Sequence, residues 1–220
     1  MVVSVPVLAV LGIDRNGRKT LVALQLAASE ASVHWKGVVE DLLRRGLPAP
    51  DLVISDGHGG LTKAIEAWPD ARVQRCTQHK WRNLADHCPR HARAELKRDW
   101  DRVVRAKDGK PARKAYAALL RKWKVLVPAV ARSLEEAGLD LLTFYEYPKS
   151  IWKALRSTNA IENLNHELRR RTKTQGSFST EAAGVTLLWA LVAFGQIQMH
   201  RIVGYRDFRP LVDKNHQAAA

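Results

Sequence analysis

At 220 residues and 46% apolar content the chain can bury a sizeable core, which excludes general disorder. Its 36 Lys and Arg against 22 Asp and Glu give a formal net charge of +14, which favours polyanionic partners without naming a reaction. Two cysteines, Cys76 and Cys88, exclude a disulfide framework and fit a reducing cytoplasm.

Residues 3–13 and 19–27 are rich in Val and Leu and flank Asp14-Arg15-Asn16-Gly17, an Asn-Gly hairpin signal. No basic segment precedes this apolar start, so a strand is expected there and not a secretory signal. Residues 29–45 read as a helix capped by Ser29 or Ser32, with Val38, Val39, Leu42 and Leu43 at helical spacing and Gly46 as its stop. Residues 52–54 are a short apolar strand running into Ser55-Asp56-Gly57-His58-Gly59-Gly60. A helix to about Trp68 and a strand over 72–76 follow. The order strand, strand, helix, strand, helix, strand is that of an α/β core.

Residues 78–146 lack strand signals, carry dense Lys and Arg, and space Trp100, Val103, Val104 and Tyr116, Leu119, Leu120, Trp123 helically. This predicts an all-helical insertion with turns near Cys88-Pro89, Asp108–Pro111 and Gly138, closed by Tyr147-Pro148. A helix bearing Glu162 comes next, ended by Gly176, and then a buried helix over 181–201. The apolar run over 182–194 is shorter than the ~20 residues of a bilayer span, so no membrane role is expected. The domains expected are 1–77 and 148–205 for the core, 78–147 for the insertion, and 206–220 for a tail whose last residues, 217–220, are frayed.

The most informative stretch is Thr158-Asn-Ala-Ile-Glu-Asn-Leu-Asn-His-Glu-Leu-Arg-Arg-Arg-Thr172. On a helix, Ile161, Leu164 and Leu168 form a packing stripe, while Asn159, Glu162, His166 and Arg169 share the opposite face. Arg170, Arg171 and Lys173 continue the positive charge. A carboxylate among arginines suits a metal ion held beside a phosphate backbone. Asp56 follows a buried strand in a glycine-rich loop, where α/β sheets meet ligands, or else it caps the next helix. Two carboxylates from distant segments can hold Mg²⁺ for in-line phosphoryl transfer; Glu167, near the apolar edge, fits less well as a further ligand.

Cys76-Thr-Gln-His79 and Cys88-Pro-Arg-His91 share a metal-ligand spacing, but a buried Cys beside a hydrogen-bonding His suits the first better than zinc. His58 is either a phosphate contact or a solvated loop histidine. Arg75, Lys80, Arg82, Arg169, Arg170, Arg171 and Lys173 are the candidate phosphate contacts, each against the alternative of a solvated charge. Of the seven tryptophans most belong to the core, Trp189 and Trp100 above all, and one or two in the insertion can stack on a base of distorted DNA.

Val-Ile-Ser-Asp-Gly-His-Gly-Gly-Leu, Val-Gln-Arg-Cys-Thr-Gln-His-Lys-Trp-Arg-Asn-Leu and Ser-Thr-Asn-Ala-Ile-Glu-Asn-Leu-Asn-His-Glu-Leu-Arg-Arg-Arg-Thr, in that order, resemble bacterial Mutator-type insertion-sequence transposases. Leu-Gly-Ile-Asp-Arg-Asn-Gly-Arg-Lys ahead of them extends the likeness over nearly the whole chain. The resemblance implies an α/β ribonuclease H-like core, with an all-α insertion between the second catalytic Asp and the catalytic Glu. It further implies DNA strand cleavage and transfer dependent on Mg²⁺ or Mn²⁺, through an Asp, Asp, Glu set. The second Asp falls on Asp56 and the Glu on Glu162. The family's C-x2-H motif falls on Cys76 and His79; Asn159, Asn165 and Arg169 match further positions. With His58, Arg75, His79, Lys80, Arg82, Arg170, Arg171 and Lys173 these make the expected DNA contacts.

The partners implied are transposon terminal inverted repeats, target DNA and further copies in a homodimer or higher oligomer, in a nucleoid-associated cytoplasmic protein. The family's first catalytic Asp lies on a strand before the hairpin, and Asp14, in the hairpin turn, is no substitute. The chain is therefore expected to be a truncated form, a mis-assigned start or a remnant. Besides the enzyme, the competing readings are a non-catalytic DNA- or subunit-binding remnant that inhibits the full-length protein, and an unrelated basic metal-dependent nuclease.

Overall fold

A computed structural model describes residues 6–27, 29, 31–173, 178 and 180–207. In chain order the strands and α-helices are β1 Val7–Ile13, β2 Lys19–Leu26, α1 Ser32–Arg44, β3 Leu52–Ser55, α2 Gly59–Ile65, β4 Arg72–Arg75, α3 Thr77–His87, α4 Arg93–Val104, α5 Gly109–Leu126, α6 Pro128–Ala137, α7 Trp152–Leu155, α8 Asn159–Thr172 and α9 Glu181–Ala193. A long 3-10 segment, Gly138–Glu146, follows α6. The described chain forms two compact units: one holds the residues up to Asp51, His58–Ala71 and those from Asn159, the other Leu52–Gly57 and Arg72–Thr158.

In the first unit β1 and β2 are an antiparallel hairpin with an irregularity between Val10 and Leu11. The Asp14 carboxylate accepts from the backbone amides of Asn16 and Arg18, each at 2.8 Å, and so closes the turn. Gly17 completes it at φ 71°; a Cβ there would lie 2.3 Å from that of Tyr205. Both Asp14 and Gly17 thus serve the turn, as the Asn-Gly signal predicts. Leu21 and Leu24 of β2 pack with Leu164 and Leu168 of α8 and with Ile197.

Helix α1 buries Val38, Val39 and Leu42, while Leu43 is 41% exposed. Neither serine caps it through its side chain: Ala31 occupies the cap position and the Ser29 hydroxyl accepts from the Ala31 amide. Gly46, at φ 78°, ends the helix as expected.

The helix predicted to be buried over 181–201 stops at Ala193 and is only half-buried, with Gly184 alone fully covered. Apart from Glu181 and Thr186 its residues are apolar on every side. One stripe, including Val185, Leu188, Trp189 and Val192, packs on the hairpin core, and Phe194 just beyond is 81% exposed. Trp189 is accordingly partly buried and not a core residue. Gly176 and residues 217–220 lie outside the described residues.

The second unit builds on β3 and β4, a parallel pair in register from Leu52 opposite Arg72 to Ser55 opposite Arg75. The four strands read from the sequence are all present, as two separate two-stranded sheets. The Gln74 side chain, wholly buried, donates to Leu141 O and accepts from the Phe144 amide, while Thr143 donates to Val73 O at 2.7 Å. These bonds lay the 3-10 segment along β4.

The predicted turns fall at Cys88-Pro89, where α3 ends, at Asp108, whose carboxylate caps α5, and at Gly138, with φ 58°. Leu96, Trp100, Leu119, Trp123, Leu134 and Phe144 are all buried. Asp99, 7% exposed, accepts from Trp123 Nε1 at 3.1 Å and is paired with Lys122 and Arg102. Burial pushes the Asp99 carboxyl up, but hydrogen bonds from Lys122 and Trp123 and the charges of Lys122 and Arg102 outweigh it, leaving its pKa below the ordinary range.

Candidate functional site

Asp56 is exposed at the carboxyl end of β3. Behind it the backbone turns at Gly57, at φ 87°, and a Cβ at Gly57 would lie 1.8–2.1 Å from the guanidinium of Arg75. Only glycine lets the loop cross so close to this side chain. Arg75 is 7% exposed and grips Glu136 with both terminal nitrogens, at 2.8 and 3.2 Å.

Lys80, 2% exposed, donates to the same carboxylate at 2.7 Å and to Ser133 O at 2.8 Å. Burial raises the Glu136 carboxyl, and the bonds and charges of Arg75 and Lys80 pull it further down, below its ordinary value. Two of the expected phosphate contacts, Arg75 and Lys80, are therefore buried and share the Glu136 carboxylate, and Arg75 lies against Gly57 of the Asp56 loop. Glu136 is the residue that sequence reading missed: it lies 61 positions from Arg75 and 56 from Lys80, and nothing local marks it.

Cys76 is buried and accepts from both the amide and the hydroxyl of Thr158, at 3.4 and 3.3 Å. The same hydroxyl lies 3.2 Å from His79 Nδ1. The C-x2-H pair thus acts as a buried Cys beside a hydrogen-bonding His, with Thr158 between them. Among the described residues Cys88 and His91 do not join Cys76 and His79 in a four-ligand set. His58 lies at the start of α2, where its ring Nδ1 accepts from the Gly60 amide at 3.3 Å while its side chain stays exposed.

Glu162 is half-buried in the first turn of α8, with Asn159, Asn165, His166 and Arg169 exposed along the helix. Leu164 and Leu168 are buried and Ile161 half-buried, as the predicted stripe requires. Glu167 binds Arg170 and Arg171, which hold its carboxyl at about 2, and Arg171 also donates to Gln196 O. Glu167 is thus engaged with cations of its own helix. Arg82 and Lys173 are exposed.

Asp56 and Glu162 belong to different units, one at a strand end and one at a helix start. Both offer hard carboxylate oxygens, the donor type that suits Mg²⁺ or Mn²⁺. Among the described residues no helix is long and apolar enough to cross a membrane.

The chain is 37% identical over 192 residues to the transposase for insertion sequence element ISRM5 of Rhizobium meliloti (strain 1021), covering 87% of this chain and 48% of that protein. It is 36% identical to the transposase for insertion sequence element IS905 of Lactococcus lactis subsp. lactis (strain IL1403), covering 79% and 44%. It is 34% identical to the transposase for insertion sequence element IS1081 of Mycobacterium tuberculosis (strain ATCC 25618 / H37Rv), covering 87% and 46%. The chain spans about half the length of these curated relatives. The family described as "Transposase, Mutator family" matches residues 1–198. This chain belongs to the Mutator family of transposases.

Proposed function

We propose that the chain serves metal-dependent DNA strand cleavage and transfer in an insertion-sequence transposase, with Asp56 and Glu162 in a DDE-type site on a ribonuclease H-like core. The observation that carries this reading is the build of the Asp56 loop: an exposed carboxylate at a strand end, on a turn only glycine can make, backed by buried Arg75, which shares the exposed Glu136 carboxylate with buried Lys80. Such support holds a ligand carboxylate in place before substrate arrives. Asp56 and Glu162 would hold Mg²⁺ or Mn²⁺, which stabilises charge on the attacking and leaving oxygens of phosphoryl transfer.

The chain's own side chains have separate tasks. Arg82, Arg169 and Lys173 are exposed and give phosphate contacts; Asn159, Asn165 and His58 add polar ones. Arg170 and Arg171 reach phosphate in competition with Glu167. Arg75 and Lys80 act from behind by fixing the loop, and Cys76, Thr158 and His79 secure the segment that leads into α8. The substrates are transposon ends and target DNA, handled by two or more copies of the protein at the nucleoid.

Titration calorimetry with Mn²⁺ tests the site directly. The chain should bind Mn²⁺, and D56N and E162Q should each weaken binding at least tenfold while leaving DNA affinity unchanged. Binding untouched by D56N removes Asp56 from the site. A folded chain that binds DNA and no Mn²⁺ is instead a non-catalytic DNA- or subunit-binding module.

A further inference from the structure

We propose that a hollow between α3 and α4 is a stacking site for one unpaired DNA base, with the adjoining phosphates on its basic rim. The hollow encloses about 70 Å³ and is lined by Trp81, Trp100, Lys97, Asp101, Arg105 and Arg156, among others. Trp100 is 3% exposed, whereas Trp81, in the same lining, is only half-buried and so within reach of a ligand. Small-molecule pockets run to about 300–1,000 Å³. A hollow this small takes the edge of one flat ring and leaves the sugar outside.

Cations lie beside the Trp81 ring. Lys97 Nζ lies over the Trp81 ring, 5.3 Å from its centroid, and is hydrogen-bonded to Asp101. Arg105 Nε is 3.4 Å from the same carboxylate, so Asp101 holds two cations side by side. The backbone of Arg156 is fixed at the start of α3, because its carbonyl accepts from both the amide and the hydroxyl of Thr77, each at 2.9 Å. Two cations paired with one carboxylate, and Arg156 in the same lining, therefore lie around a half-buried indole.

An aromatic ring with flanking cations is how proteins hold single strands without reading sequence, since every base has a π-face. In a duplex those faces are covered by neighbouring bases, so the site selects an unpaired or extruded base. The inference goes beyond the proposed catalytic reading and needs neither Asp56 nor a metal.

The test measures fluorescence anisotropy in EDTA with a labelled oligothymidylate and a labelled duplex. Alanine at Trp81 should weaken single-strand binding about tenfold and leave duplex affinity nearly unchanged, while W81F retains most of it. R105A should lower the single-strand salt slope by about 0.7. Equal losses on single strand and duplex, no loss in a folded W81A, or no single-strand binding by the unaltered chain overturns the proposal. If W81A unfolds, photocrosslinking the unaltered chain to a 5-bromodeoxyuridine oligonucleotide decides: attachment at Trp81 supports the site, attachment only elsewhere overturns it. Each result stands independently of Mn²⁺ binding, so failure of this site and failure of the metal site are told apart.

Discussion

Replacing Glu136 by alanine probes the support behind Asp56, and its size follows from burial. The carboxylate accepts from Arg75 at 2.8 and 3.2 Å and from Lys80 at 2.7 Å, and those two cations are only 7% and 2% exposed. E136A leaves both charges buried, with the carbonyl and hydroxyl of Ser133 the remaining acceptors for Lys80. Removing one member of a buried ion pair costs about 3–5 kcal/mol. The Glu136 side chain is itself 53% exposed, so water reaches the vacated side and the lower end, about 3 kcal/mol, applies. With a urea slope of about 2 kcal/mol per molar, the midpoint falls by about 1.5 M. Tryptophan fluorescence reports the transition, since Trp81, Trp100, Trp123 and Trp152 all lie in the same unit as the network. E136Q keeps an acceptor but loses the charge and should fall between. A midpoint within about 0.3 M of the original would refute the reasoning and reduce the network to an ordinary surface pair.

G57A should destabilise by about 1–3 kcal/mol, because alanine is strained at φ 87° and its methyl group meets the Arg75 guanidinium; an unchanged urea midpoint would show that the loop relaxes freely. E167Q should release Arg170 and Arg171, raise duplex DNA affinity at low salt and steepen the salt slope by about one to two units, read by anisotropy from 50 to 300 mM salt; a flat response would place both arginines away from DNA. The carboxyls of Asp99 and Glu136 lie below their ordinary values of 3.8 and 4.5, so the stability they add is complete above about pH 5. That stability drains as pH falls through their lowered folded values. The urea midpoint should drop on acidification below pH 4 in the unaltered chain and less in a D99N/E136Q double variant; parallel curves would deny them the role.

Elements whose formation depends on neighbours in sequence were legible. The Asn16-Gly17 turn, the stop at Gly46 and the turn at Asp108 rest on contacts within a few residues, and the spacing of Leu164 and Leu168 within one helix is equally local. The placement of Asp56 at a strand end was equally local, as was Glu162 on a helix. What failed depends on what lies across the fold. The run around Trp189 is apolar enough to suggest full burial, yet the described structure covers only part of it, because composition states what a helix can bury and not what is there to cover it. In the same way, two separate two-stranded sheets arise from four strands whose pairing no periodicity encodes.

The basic residues show the same limit in a form that bears on function. A lysine or arginine in a strongly positive chain is read as a candidate phosphate contact, and for Arg82, Arg169 and Lys173 exposure permits it. Arg75 and Lys80 carry the same charge, but each stands where burial is affordable only beside a carboxylate, and Glu136 supplies one for both. Removing either cation should therefore disturb the Asp56 loop before it disturbs DNA affinity. R75M and K80M should lower the urea midpoint with the duplex salt slope unchanged, whereas R169A should lower the slope by about 0.9 and leave the midpoint alone. A salt slope reduced equally in all three variants would return Arg75 and Lys80 to the DNA surface and leave the loop without its proposed support.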